Sequence, residues 1–203
     1  TIRLQSLKGG IHTQYVSFEE NPINFVGKII SSLRDLQRYF EQHKIHPLAG
    51  SERIDIGMIQ AGDYFNRTPV ECEITGTRRW TAGQSAQVIL DELTTLVSNA
   101  CNGSDIDIKV KMEHQREPFE IATDDAAVEA VAAAHKLVTK KDAEYVGMRI
   151  VGDANLYVHG CEIPTFYYGP SNETAHSDIE WVSLDRLTSA ASVYALSAVQ
   201  YCK

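Results

Sequence analysis

What most constrains this chain is the order in which two hydrophobic periods follow one another through residues 1–112. Ile2 and Leu4 alternate with Arg3 and Gln5, the period-two pattern of a strand with one buried face, and the segment Ile2 to Leu7 ends at Gly9-Gly10. Phe25, Ile29, Leu33, Leu36 and Phe40 then recur every three or four residues, which predicts a helix with one buried stripe. Asn21 is its candidate N-cap, and Pro22 takes the first position, where a missing N–H costs least. His46 to Gly50 reads as a loop. Two further alternating runs follow, one through Ile54, Ile56 and Met58 and one through Val70, Cys72 and Ile74, joined across Ala61-Gly62-Asp63 and Pro69. A second helix opens at Gly83-Gln84-Ser85, with Val88, Leu90, Leu93 and Leu96 expected inside and Asn102-Gly103 as its stop. Asp105 to Met112, DIDIKVKM, is a strict alternation and the fourth strand. The order β-α-β-β-α-β is that of the split β-α-β, or ferredoxin-like, sandwich: a four-stranded antiparallel sheet with both helices on one face.

Near Gln115-Arg116-Glu117-Pro118 the character changes, so residues 1–115 and 116–203 are read as two domains. The second begins with an Ala-rich helix from Asp124 to Leu137. A strand at Tyr145–Val151, a short helix at Ala154–His159, a strand at Ile163–Tyr168 and a helix at Leu184–Tyr201 complete it. Alternating α and β predicts parallel strands covered by helices. Three helices and two strands are too few for a complete doubly wound domain, so this part reads as half of a larger α/β layer.

Composition narrows the function. With 19 Lys and Arg against 27 Asp and Glu, the net charge is -8, and an acidic chain lacks the basic face that phosphate backbones require. No apolar run approaches the roughly 18 residues of a membrane span. Nucleic acid and membrane are therefore not expected partners. Cys72, Cys101, Cys161 and Cys202 are scattered without a C-x-x-C pair, which favours reduced thiols in a cytoplasmic protein over a zinc knuckle or a disulfide scaffold.

His176 is the sharpest single residue. A strand runs through Phe166-Tyr167-Tyr168 into Gly169-Pro170, and a polar loop then carries the histidine toward the last helix. Loops beyond strand C-termini are where open α/β sheets bind ligands, and a neutral imidazole suits zinc. Position alone equally allows a loop histidine that caps the final helix. Glu19-Glu20 and Asp124-Asp125 each open a helix, where carboxylates suit the macrodipole, and both read as structural. Asp153, before a short helix, is a candidate N-cap.

Gly169-Pro170 followed by Ala175-His176 and Glu180 resembles the C-terminal metal-ligand motif of the di-zinc metallopeptidases and amidohydrolases that include aminoacylase, carboxypeptidase G and acetylornithine deacetylase. Four more segments resemble that family in its own order. They are Gly10-Ile11-His12-Thr13, Ile59-Gln60-Ala61-Gly62 to Asn66-Arg67-Thr68-Pro69, Thr77-Arg78-Arg79-Trp80, and Val151-Gly152-Asp153-Ala154-Asn155. The resemblance implies a ferredoxin-like lid, which is also the dimerisation domain, followed by the C-terminal half of a zinc-peptidase-like α/β catalytic domain. The resemblance places the family's metal-binding H-x-D and Glu-Glu pairs before the lid, whereas His176-Ser177-Asp178 and Glu19-Glu20 fall elsewhere in that order, so a separate N-terminal segment is expected to supply most of the metal site.

By that resemblance His176 is a ligand of one of two zinc ions, or of cobalt or manganese in their place. His12 would reach the scissile carbonyl from the lid, and Asn66 would donate beside it. Arg79 would clamp the substrate carboxylate, with Arg78 as its alternate, because neighbouring strand residues face opposite ways. The implied activity is hydrolysis of small N-acyl amino acids or short peptides by a homodimer, with this chain alone inactive. The contrasting reading is a non-catalytic dimerisation or binding module.

Overall fold

The computed structural model describes residues 1–170, 173–175 and 177–202. In chain order the elements are β1 (Ile2–Ser6), α1 (Ile23–His43), β2 (Ile45–His46), β3 (Gly50–Ser51), β4 (Arg53–Ala61), β5 (Glu71–Arg79), α2 (Ala86–Ala100), β6 (Ile106–Val110), α3 (Ala126–Thr139), α4 (Ala154–Cys161) and α5 (Leu184–Tyr201). They fall into two compact units, Thr1–Pro118 and Phe119–Lys203.

In the first unit β1 lies between two partners and is hydrogen-bonded on both sides. Ile2 and Leu4 stand opposite Ile74 and Cys72 of β5, and opposite Val110 and Ile108 of β6. With β4 beyond β5, the sheet runs β4-β5-β1-β6 and every neighbouring pair is antiparallel. This is the ferredoxin-like order. The alternation of β1 sends Ile2 and Leu4 to one face, where they meet Phe25, Ile29 and Leu33 of α1 and Ile89, Leu93 and Val97 of α2. Leu4, Ile29, Phe40, Ile89 and Val97 are completely buried, each contributing about 1.5–3 kcal/mol of transfer free energy. The other face carries ion pairs, with Arg3 bridging Glu73 at 2.6 Å and Glu71 at 3.2 Å.

Local chemistry sets the helix ends. The Asn21 carboxamide oxygen accepts the Ile23 N–H at 3.1 Å, so it caps α1 although the helix begins one residue beyond Pro22. Ser85 caps α2 through the Val88 N–H. That start places Ile89, Leu93 and Val97 inward: Leu93 is buried as expected, whereas Val88 is exposed and Leu90 and Leu96 are only half-buried. The loop expected at His46–Gly50 is the tip of a small hairpin, in which β2 pairs with β3.

The second unit is built on α3 and α5, which pack through small side chains: Ala134 and Ala190 are buried along with Val193 and Ser197. Asp125 caps α3 by accepting the Ala127 N–H at 2.9 Å. The strands expected at Tyr145–Val151 and Ile163–Tyr168 are corrected by the structure. Among the described residues neither segment joins a ladder, and the second unit contains no sheet. A period-two pattern marks residues that fit a pleated surface, but a strand exists only where a second strand takes up its N–H and C=O groups. Tyr145, Val146, Met148, Ile150 and Val151 are all exposed in consequence.

Candidate active site

Two loops of the first unit approach one another after β1 and after β4. A Cβ on Gly9 would lie 2.4 Å from the Val70 Cα, so only glycine lets the chain pass so close. The Gly10 N–H donates to the Thr68 carbonyl at 2.8 Å, and the Thr68 N–H donates to the Ile11 carbonyl at 2.9 Å. The Thr13 N–H reaches the Asn66 carbonyl at 3.0 Å, and His12 pairs with Arg67 in antiparallel register. Arg67 adds a side-chain tie: its Nε donates to the Gly10 carbonyl at 3.0 Å and its Nη1 to Asp63 at 2.7 Å.

That framework brings two of the sequence-predicted residues together. The His12 Nε2 lies 3.3 Å from the side-chain amide of Asn66. Its Nδ1 accepts the Gln14 N–H at 3.2 Å, so in the neutral ring the proton resides on Nε2. The Asn66 atom beside it is Nδ2, so two N–H donors lie next to each other. The pair lines an open concavity of about 480 Å3 with Gly10, Asp63, Tyr64 and Arg67. Tyr15 meets the His12 ring edge-on at 6.2 Å.

Arg78 and Arg79, at the end of β5, point to opposite faces. Arg78 stands across from Ile54 on the helix-covered face, and its side chain is 4% exposed. Its guanidinium binds Glu52 at 2.5 Å and Glu92 at 3.3 Å and lies 4.1 Å above the Phe40 ring. Arg79 is exposed on the outer face, directly across from Arg53. Sequence reasoning missed Glu52, Gln84 and Arg67. The last had a local signal, since it follows Asn66 directly; the first two are joined to Arg78 only by tertiary register.

In the second unit, consecutive tyrosines anchor the segment that leads to Gly169-Pro170. The Tyr167 hydroxyl accepts the Ala154 N–H at 3.2 Å, and a Cβ on Gly152 would sit 2.5 Å from that oxygen. This bond serves the start of α4, where the Asp153 side chain makes no cap. The Tyr168 hydroxyl bonds His135 Nδ1 at 2.8 Å, Tyr194 donates to the Tyr168 carbonyl, and burial pushes the Tyr168 phenol up. His176 lies outside the described residues.

The order of these parts matches one known family. The family model described as peptidase family M20/M25/M40 matches residues 3–200. The chain belongs to that family. A search of curated proteins by sequence returned no significant match. Among solved structures, this M20 chain is similar to aminopeptidase PepT from Bacillus cereus, with a TM-score of 0.77 and 17% identity over 100% of this chain and 51% of that one. It is similar to a tripeptidase from Staphylococcus aureus, with a TM-score of 0.75 and 16% identity over 98% and 49%. A dinuclear metal binding peptidase of the M20 family from Bacillus subtilis gives a TM-score of 0.67 and 19% identity over 98% and 48%. The M20 chain thus spans about half the length of the structures it matches. Among its described residues no group of three or more His, Cys, Asp or Glu comes together. Among the described residues no helix is long and apolar enough to cross a membrane.

Proposed function

We propose that this chain is the substrate-gripping part of a metal-dependent amidohydrolase that cleaves small N-acyl amino acids or short peptides bearing a free carboxylate. The observation that carries the reading is the His12–Asn66 pair, two residues 54 positions apart held at 3.3 Å on the rim of an open concavity. Two zinc ions, or cobalt or manganese, would supply a water acidified toward neutrality. His176 and an N-terminal segment outside this sequence would hold them.

The chain's own residues act on the substrate. The His12 Nε2–H and the Asn66 NH2 are the donors for a carbonyl oxygen that gains negative charge as the amide is attacked. Arg79 stands at the opposite end of β5 from the His12 and Asn66 loops, roughly 25 Å away, so the carboxylate it would receive through two parallel N–H bonds belongs to a substrate whose carbonyl is held by the His12–Asn66 pair of a second copy. Arg78 is committed to Glu52 and leaves that role to its neighbour.

The lid also offers a pairing surface. β4 is an edge strand with Ile56, Met58 and Ile59 exposed, and an apolar open edge favours pairing with a second copy. Four free thiols, two of them exposed, suit a reducing compartment such as the cytoplasm.

Steady-state kinetics of the metal-loaded protein that also carries the metal-binding segment tests these roles. His12→Ala is expected to lower kcat by roughly 10²–10³-fold, the cost of one oxyanion donor. Arg79→Ala is expected to raise KM more than it lowers kcat. His176→Ala is expected to lose metal and activity together. An unchanged kcat in His12→Ala removes the histidine from the chemistry, and full metal content in His176→Ala removes the Gly169-Pro170 loop from the metal site.

A further inference from the structure

Arg78 does something more specific than fill a buried charge site. One of its terminal nitrogens, Nη2, binds Glu52 at 2.5 Å and Glu92 at 3.3 Å, while the other, Nη1, turns back to donate to the main-chain carbonyl of Arg79 at 2.7 Å. The fork therefore spans a carboxylate under α1 and α2 and the peptide of the very next residue. Its Nε is left buried without an acceptor, so this orientation is held at the cost of one donor. Glu52 is itself fixed from three sides. Its second carboxylate oxygen accepts Gln84 Nε2 at 2.5 Å. Its carbonyl accepts Gln37 Nε2 at 3.4 Å, and its N–H reaches the Lys44 carbonyl at 3.3 Å. Gln84 in turn is held by Trp80, whose indole N–H donates to its carbonyl at 3.1 Å.

Arg79 is the last residue of β5, where a strand would ordinarily fray into the following turn. We propose that Arg78 is a positioning residue for Arg79: its guanidinium ties the Arg79 peptide to the buried Glu52 carboxylate and so fixes the direction in which Arg79 meets the substrate carboxylate. The inference rests on the reading of Arg79 as the carboxylate clamp. Two adjacent arginines divide one task. The inward one sets the backbone, and the outward one makes the contact.

A purely structural ion pair would stabilise the lid without touching affinity, and the two roles separate with Arg78→Lys. A lysine keeps a positive charge against Glu52 but lacks the planar two-nitrogen fork that reaches both Glu52 and the Arg79 carbonyl. In the metal-loaded protein with its metal-binding segment, Arg78→Lys is expected to raise KM for an N-acyl amino acid about tenfold, with kcat within about twofold. The rise should vanish for the matching carboxamide, which offers Arg79 no charge. The double variant Arg78→Lys/Arg79→Ala should bind no worse than Arg79→Ala alone, because the two act through one contact. Glu52→Gln, which keeps the shape and one acceptor, should shift KM in the same direction and guards against misfolding in the first variant.

An unchanged KM in Arg78→Lys beside a raised KM in Arg79→Ala overturns this inference alone. A rise that persists on the carboxamide does the same. An unchanged KM in Arg79→Ala overturns the carboxylate reading as well.

Discussion

The two units handle the same physical problem differently. In the first, every strand of the main sheet has a ladder partner and the alternating apolar residues of β1 and β5 are buried under two helices. In the second, two apolar segments, 145–151 and 163–168, join no strand ladder among the described residues and expose Tyr145, Val146, Met148, Ile150, Val151 and Ile163. Backbone polar groups and large apolar side chains are both costly to leave unmatched. The first unit therefore carries its own cooperative core, and the second packs chiefly through α3 and α5.

Amide hydrogen exchange is the strongest way to break that contrast. Amides of β1, bonded on both sides, should exchange at least about a thousandfold more slowly than those of residues 145–151, which open without disrupting any ladder. Comparable protection in the two regions would show that the second unit is ordered by contacts other than strand pairing. Truncation sharpens the same contrast at a smaller scale. Phe40→Ala, which empties a fully buried site beneath the Arg78 guanidinium, should cost about 3–5 kcal/mol in urea denaturation followed through Trp80. Val146→Ala, at an exposed site, should change stability by less than about 0.5 kcal/mol.

Acid titration of the first unit gives the smallest effect. The hydrogen bond from Arg3 holds the Glu73 carboxyl below its usual range, and the hydrogen bond from Lys8 does the same for Glu20. A carboxyl with a depressed folded pKa adds stability that is complete above its unfolded value of about 4.3 and is lost as pH falls through the folded value. The lid's urea midpoint should therefore drop slightly below about pH 4, since such solvent-facing pairs are worth little. Glu73→Gln should flatten that acid limb, and an unaltered limb would detach the Arg3 pair from acid stability.

What could be read from the sequence follows the range of each interaction. The α1 stripe was legible because Phe25, Ile29, Leu33 and Phe40 carry their spacing locally, and all four are buried. The α2 stripe was legible only in part: Leu93 is buried as expected, but Ile89 and Val97 take the inward places expected of Val88, Leu90 and Leu96. Val88, Ile89 and Leu90 are consecutive apolar residues, and the cap at Ser85 together with the packing decides which of them turns inward. On β5 the period of two places Arg78 on the same face as the buried Cys72 and Ile74 and Arg79 on the other, but the alternation could not show the buried acid that receives Arg78: Glu52, just before β4, lies 26 positions away. Likewise 145–151 and 163–168 display the right period for strands, and nothing local to a strand names its partner. The His12–Asn66 pair was visible only through resemblance, since no spacing rule joins residues on two separate loops.

Arg67 has a consequence for how a ligand would be received. The stretch between Gly10 and Asp63 contains α1 and all of β4, so the chain's connectivity alone does not keep the two loops together. Left untethered, they would sample many relative arrangements, and each binding event would have to freeze them anew. Because the main-chain bonds of Gly10, Thr13 and Thr68 join the loops and the Arg67 guanidinium adds a side-chain tie to the Gly10 carbonyl, that loss of freedom is met during folding and not when substrate arrives. Association at His12 and Asn66 should accordingly show a small entropic penalty, and cutting the tether with Arg67→Ala should appear in calorimetry as a less favourable binding entropy while both donors remain in place.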